Sequence, residues 1–104
     1  MIIRKLLISN RGEIASRIIR SAHDMGISCV AIYTEADTNT PYVREADQAF
    51  KLSDTYLNAK EILEIAKKND VDAIHPGYGF LSENANFANS VKKAGIKWVG
   101  PSAN

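Results

Sequence analysis

From residue 73 to residue 84 the chain reads Ala73-Ile74-His75-Pro76-Gly77-Tyr78-Gly79-Phe80-Leu81-Ser82-Glu83-Asn84. A short apolar run leads in and a helix start leads out. Between them lie two glycines, a proline and two aromatics, and a plain turn does not need Tyr and Phe interleaved with Gly. Glycine reaches the left-handed backbone region and lets a ligand come against the main chain. In an α/β sheet such a loop sits at the carboxyl edge of the strands, where ligands bind. Two readings stand: a ligand-contacting loop, or a rigid turn with Tyr78 and Phe80 packed as core. His75 ends the apolar run before Pro76 and reads as a hydrogen-bonded structural histidine rather than a base. Ser82 reads as the N-cap of a helix that continues to Ala94, with Glu83 in its first turn complementing the dipole.

The other segment that could carry chemistry is Ser9-Asn10-Arg11-Gly12-Glu13-Ile14-Ala15, where a first strand passes into a first helix. A dinucleotide site there requires Gly-x-Gly-x-x-Gly, and no P-loop pattern occurs elsewhere. Only Gly12 is present. Arg11 and Glu13 stand where backbone should meet a pyrophosphate, and a carboxylate at a helix N-terminus repels an anion. Arg11 and Glu13 read instead as an ion pair and cap. Glu35 and Asp37 follow the second strand and read as polar loop residues. Arg17, Arg20 and Asp24 share one helix face. His23, His75 and Cys29 are far apart in sequence, so no metal site is expected. No nucleophile–base pair or paired-carboxylate motif is present, so the sequence does not contain a complete active site.

The elements that must position these residues alternate. Lys5–Ile8, Ser28–Thr34, Gln48–Leu52, Val71–His75 and Lys97–Val99 read as strands, the last stopped by Gly100-Pro101. Gly12 to Met25 carries Ile14, Ala15, Ile18, Ile19, Ala22 and Met25 at three-and-four spacing, a helix with one apolar face, followed by Gly26 as the residue after the C-cap. A helical turn is expected at Tyr42–Ala46. Asn58, with Glu61 three residues on, starts a helix to about Lys68. Strands separated by helices imply right-handed βαβ units and an α/β, Rossmann-like three-layer domain with a mostly parallel sheet of about five strands.

Composition limits the alternatives. The chain has 104 residues, enough for one domain with its own core. A net charge of +1 favours neither nucleic acid nor an anionic membrane. No apolar run approaches the roughly 18 residues of a membrane span. A cytoplasmic location is expected, since Met1-Ile2-Ile3-Arg4-Lys5 lacks a signal-peptide layout. A single cysteine excludes an internal disulfide, and Cys29, inside an apolar strand, reads as a buried, inert thiol.

The segment from His75 to Asn84 resembles the HPGYGFLSEN signature of biotin carboxylases. Ser9 to Arg20 resembles that family's ANRGEIAxRIxR opening, with Ser9 in place of its Ala. Tyr33-Thr34-Glu35-Ala36-Asp37 is similar to its YSEAD, Val43-Arg44-Glu45-Ala46-Asp47 to its HVRxAD, Tyr56-Leu57-Asn58 to its SYLN and Gly100-Pro101 to its GP. The motifs keep the family's order and spacing from about Leu6 to the last residue. One departure is the stretch from Phe50 to Asn58, which lacks the Gly-rich insertion that many members carry.

The resemblance implies that residues 1–104 are the N-terminal, pre-ATP-grasp domain, with the ATP-grasp and C-terminal domains absent from this chain. Biotin carboxylases, the carboxylating part of acetyl-CoA, pyruvate and related carboxylases, use ATP, Mg2+ and bicarbonate to carboxylate biotin on a carrier protein. By the same resemblance Tyr78 and Gly79 contact biotin. His75, Gly77, Phe80, Glu83 and Asn84 shape or anchor the loop, and Arg17, Arg20 and Asp24 lie on the helix used in homodimer pairing. Nucleotide, metal and catalytic residues of the family lie beyond Asn104. The domain alone is therefore expected to bind none of ATP, Mg2+ or biotin tightly and not to catalyse. A non-catalytic Rossmann-like binding or regulatory module is the alternative, and the sequence beyond residue 104 would discriminate the two.

Overall fold

Five parallel strands form one sheet in the order β3-β2-β1-β4-β5. They are β1 (Lys5–Ile8), β2 (Ser28–Tyr33), β3 (Gln48–Lys51), β4 (Ala73–His75) and β5 (Lys97–Trp98). The helices are α1 (Gly12–Asp24), α2 (Pro41–Glu45), α3 (Ala59–Lys68) and α4 (Ala85–Lys93), and a 3₁₀ turn covers Glu35–Asp37. The computed structural model describes residues 2–100. The Pro101 half of the closing Gly-Pro match lies outside them.

Strand side chains alternate between the two faces of the sheet, and the sequence supplies apolar residues to both, as a sheet covered on both sides requires. Leu7, Val30, Ile32 and Ile74 point to one side, where Ile62 and Ala66 of α3 and Phe87 and Val91 of α4 cover them. Leu6, Ile8, Cys29, Ala31 and Ala73 point to the other, against Ala15, Ile19 and Ala22 of α1 and Tyr42 of α2. The expected α/β architecture is therefore present, with every strand pair parallel.

The longer helices end alike. After α1, Gly26 at φ +78° donates to His23 O and Ile27 to Ala22 O, the paired bonds of a Schellman cap. Asn58 caps α3 as expected, accepting from Glu61 N at 3.1 Å. The start of α4 departs from expectation: Asn84, not Ser82, is the N-cap, accepting from Phe87 N at 2.9 Å. Ser82 is buried and its N–H is spent on Gly79 O in a turn. Glu83 consequently lies ahead of the cap rather than in the first helical turn. Among the described residues no helix is long and apolar enough to cross a membrane.

Candidate functional site

The loop after β4 leaves the carboxyl edge of the sheet in an unusual conformation. Gly77 (φ +65°), Gly79 (φ +66°) and Phe80 (φ +48°) all occupy the left-handed region. For Phe80 this is uncommon, and such residues concentrate at functional sites. Tyr78 is 77% exposed and Phe80 43%, which corrects the reading of both as core. Phe80 leans on Tyr56, with ring centroids 5.4 Å apart.

The two glycines serve different ends. A Cβ on Gly77 would lie 2.6 Å from Asn10 Nδ2 and 3.0 Å from a methyl of Ile14, so Gly77 is required by close packing. A Cβ on Gly79 would meet nothing within 4 Å. Gly79 is exposed, and its N–H has no acceptor among the described residues. Gly100 packs from below, where a Cβ would come 2.8 Å from Pro76 Cγ.

Asn10, buried at the end of β1, ties the loop to the first βα turn. Its Nδ2 donates to Pro76 O at 2.8 Å and Tyr78 O at 2.7 Å, while its Oδ1 accepts from Arg11 N at 2.8 Å. His75 is half-buried and its Nδ1 accepts from Gly77 N at 3.1 Å, which assigns the ring proton to Nε2. Burial pushes the imidazole below its ordinary range and keeps it neutral, in keeping with a structural histidine.

The carboxyl edge is braced by a network that the sequence reading did not identify. Asp37, buried, takes Arg11 Nε and Nη2 at 2.6 Å each. It also accepts from the Tyr56 hydroxyl, which meets Tyr42 Oη at 2.6 Å, and Tyr42 donates to Ile32 O. The guanidinium holds the Asp37 carboxyl below the usual carboxylate range. Asp37 is thus an anchor rather than a polar loop residue, and Arg11 is not paired with Glu13. Glu13 instead meets Arg20 at 2.8 Å. The near-identity of Tyr33–Asp37 to a family motif was the available signal.

Arg17, Arg20 and Asp24 are all exposed on α1. Arg20 also reaches Glu45 at 3.7 Å. Arg17 and Asp24 form no ion pair among the described residues. Arg17, Ile14 and Ile18 of α1 face His75, Gly77 and Tyr78 across an apolar groove of about 480 Å³.

Residues far apart in sequence do meet here: ligand atoms of His23, Cys29 and Asp47 lie within 4.8 Å of one another. Parallel pairing of β2 with β3 and the end of α1 bring them together. The contacts explain the cluster without an ion. One Asp47 oxygen accepts from Cys29 N at 2.7 Å and meets His23 Nε2 at 2.8 Å, clamping the start of β2. Burial pushes the Cys29 thiol up to about 11, away from the thiolate a metal needs.

A doubly covered parallel sheet with an open, glycine-containing loop at its carboxyl edge defines a Rossmann-like domain. The sequence pattern of the biotin carboxylase N-terminal domain family matches residues 2–104, and the chain belongs to that family. It is 52% identical over 106 aligned positions to biotin carboxylase 1 of Bacillus subtilis, covering 97% of this chain and 24% of that protein. It is 45% identical to human mitochondrial pyruvate carboxylase, covering 96% of this chain and 9% of that one. Among solved structures, the biotin carboxylase domain of Hydrogenobacter thermophilus 2-oxoglutarate carboxylase, in complex with MgADP, ADP and bicarbonate, superposes with a TM-score of 0.95 at 44% identity. That match covers 99% of this chain and 24% of the other. The chain thus spans about a quarter or less of these relatives.

Proposed function

We propose that residues 1–104 are the N-terminal domain of a biotin carboxylase, which uses ATP, Mg2+ and bicarbonate to carboxylate biotin on a carrier protein, and that this domain supplies the biotin-contacting loop. The observation that carries the assignment is the open face of Gly79 beside the exposed Tyr78. A backbone N–H there can donate to the ureido oxygen without steric obstruction, and the Tyr78 ring can wall the pocket. Gly77, His75, Phe80 and Asn84 hold the loop in that shape. Glu83, exposed ahead of α4, makes no hydrogen bond or ion pair with the loop among the described residues and is the member of the set that the geometry supports least.

ATP and Mg2+ are assigned to the ATP-grasp part of the protein. The first βα turn has neither the glycines nor the cation of a phosphate cradle, and its Arg11 is committed to Asp37. The exposed Arg17, Arg20 and Asp24 face is assigned to homodimer pairing. The test is bicarbonate-dependent ATP hydrolysis stimulated by biotin, measured on the full-length protein and on this chain. Stimulated turnover is expected from the first and none from the second. Turnover by this chain alone would refute the division of labour, and no biotin stimulation in the full-length protein would refute the activity.

A further inference from the structure

Of the two candidate segments in the sequence, only the glycine loop enters the proposed site, yet the other is bonded directly to it. We propose that Asn10 is a positioning residue for biotin: it turns the Tyr78–Gly79 peptide so that the Gly79 N–H faces outward. This rests on the assignment of biotin to that loop.

The geometry is simple. In a trans peptide the C=O and the following N–H point in opposite directions, and the described residues contain no cis peptide bond. The Tyr78 carbonyl is drawn inward to Asn10 Nδ2 at 2.7 Å. The N–H of the same peptide unit, which belongs to Gly79, must therefore point away from Asn10. The same rule accounts for the neighbouring unit. Pro76 C=O goes to Asn10 at 2.8 Å, and the N–H of Gly77 goes the other way, to His75 Nδ1.

The Asn10 amide is fully used, with both N–H groups on loop carbonyls and its oxygen on Arg11 N. It is 1% exposed, so water cannot replace either bond at low cost. Gly77 must lack a side chain because this amide lies against it. The asparagine of the first turn and the first glycine of the loop thus form one interlocked unit. Serine is too short to span the same gap. Aspartate has the right shape but presents acceptors to two carbonyl oxygens.

The test uses the full-length protein with Asn10→Asp and Asn10→Ala, and Gly79→Ala as a check on the biotin assignment itself. Steady-state kinetics are read separately for free biotin and for ATP in the biotin-independent, bicarbonate-dependent hydrolysis. Both Asn10 variants should lose about tenfold in kcat/KM for biotin, one hydrogen bond's effect, with the ATP parameters unchanged. Amide exchange at Gly77 should also speed up, a readout independent of activity. If Gly79→Ala is impaired toward biotin and both Asn10 variants are not, the positioning role is overturned while the loop assignment stands. If all three use biotin like the wild type, the assignment falls and the proposal with it. Equal losses toward biotin and ATP would mark Asn10 as merely structural and overturn the proposal. Should Asn10→Asp fail to fold, Asn10→Ala decides between the same outcomes.

Discussion

Alanine at Gly77 and alanine at Gly79 are chemically the same change in two left-handed residues, yet they should cost different amounts. Each must place a side chain at a φ near +65°, worth about 1–2 kcal/mol. At Gly79 that is the whole cost, because the new methyl meets nothing within 4 Å. At Gly77 the methyl arrives 2.6 Å from Asn10 Nδ2 and 3.0 Å from Ile14 Cγ2. Forcing those groups apart adds about 1–3 kcal/mol of overpacking. Gly77→Ala should therefore destabilise this chain by about 2–5 kcal/mol and Gly79→Ala by about 1–2. Urea unfolding followed by Trp98 fluorescence reads the difference as a midpoint lower by about 1 M for Gly77→Ala than for Gly79→Ala. In an Asn10→Ala background the extra cost should shrink, because the main obstacle is gone. Equal midpoints for the two variants, or a larger loss at Gly79, would refute the division between a packed and an open glycine.

Four further outcomes follow from the packing. Arg11→Ala should cost about 3 kcal/mol, because it strands a buried carboxylate, whereas Asp37→Asn leaves a half-exposed guanidinium and should cost less. The Asp37 carboxyl is depressed in the folded state, so its contribution is present above the unfolded value of about 3.9 and is lost as pH falls through the folded value; acid titration of stability should show that limb shrink in Asp37→Asn. Ser9 Oγ is buried without a partner among the described residues, so Ser9→Ala should be neutral or stabilising by about 1 kcal/mol in thermal denaturation. Cys29, buried and protonated at pH 8, should react with a thiol reagent only as fast as the chain unfolds, and fast labelling under native conditions would contradict its placement.

The fold was legible because its signals are local. The apolar spacing of Ile14, Ala15, Ile18 and Ile19, the Asn58–Glu61 start and the glycine at 26 each specify structure within a few residues. The start of α4 is ambiguous in the sequence because Ser82 and Asn84 are both capping residues two positions apart. What separates them is that the Ser82 N–H closes a turn on Gly79 while Asn84 stands three residues before the buried Phe87. The brace around Asp37 was illegible for another reason. Arg11 and Asp37 are 26 residues apart and meet only because β1 and β2 are neighbours in the sheet. The loop itself stood out, since Tyr and Phe between glycines have no purpose in a plain turn. Its dependence on Asn10, 66 to 68 residues away, did not.

The most direct test of the biotin loop is steady-state kinetics of full-length Tyr78→Phe and Gly79→Ala with free biotin and with ATP. Both variants should keep the wild-type KM for ATP; Gly79→Ala, whose methyl stands on the face offered to the ligand, should lose about tenfold in efficiency toward biotin, and Tyr78→Phe, which keeps the ring that walls the pocket, should lose less. Wild-type biotin kinetics in both would contradict the account and leave the loop a structural turn.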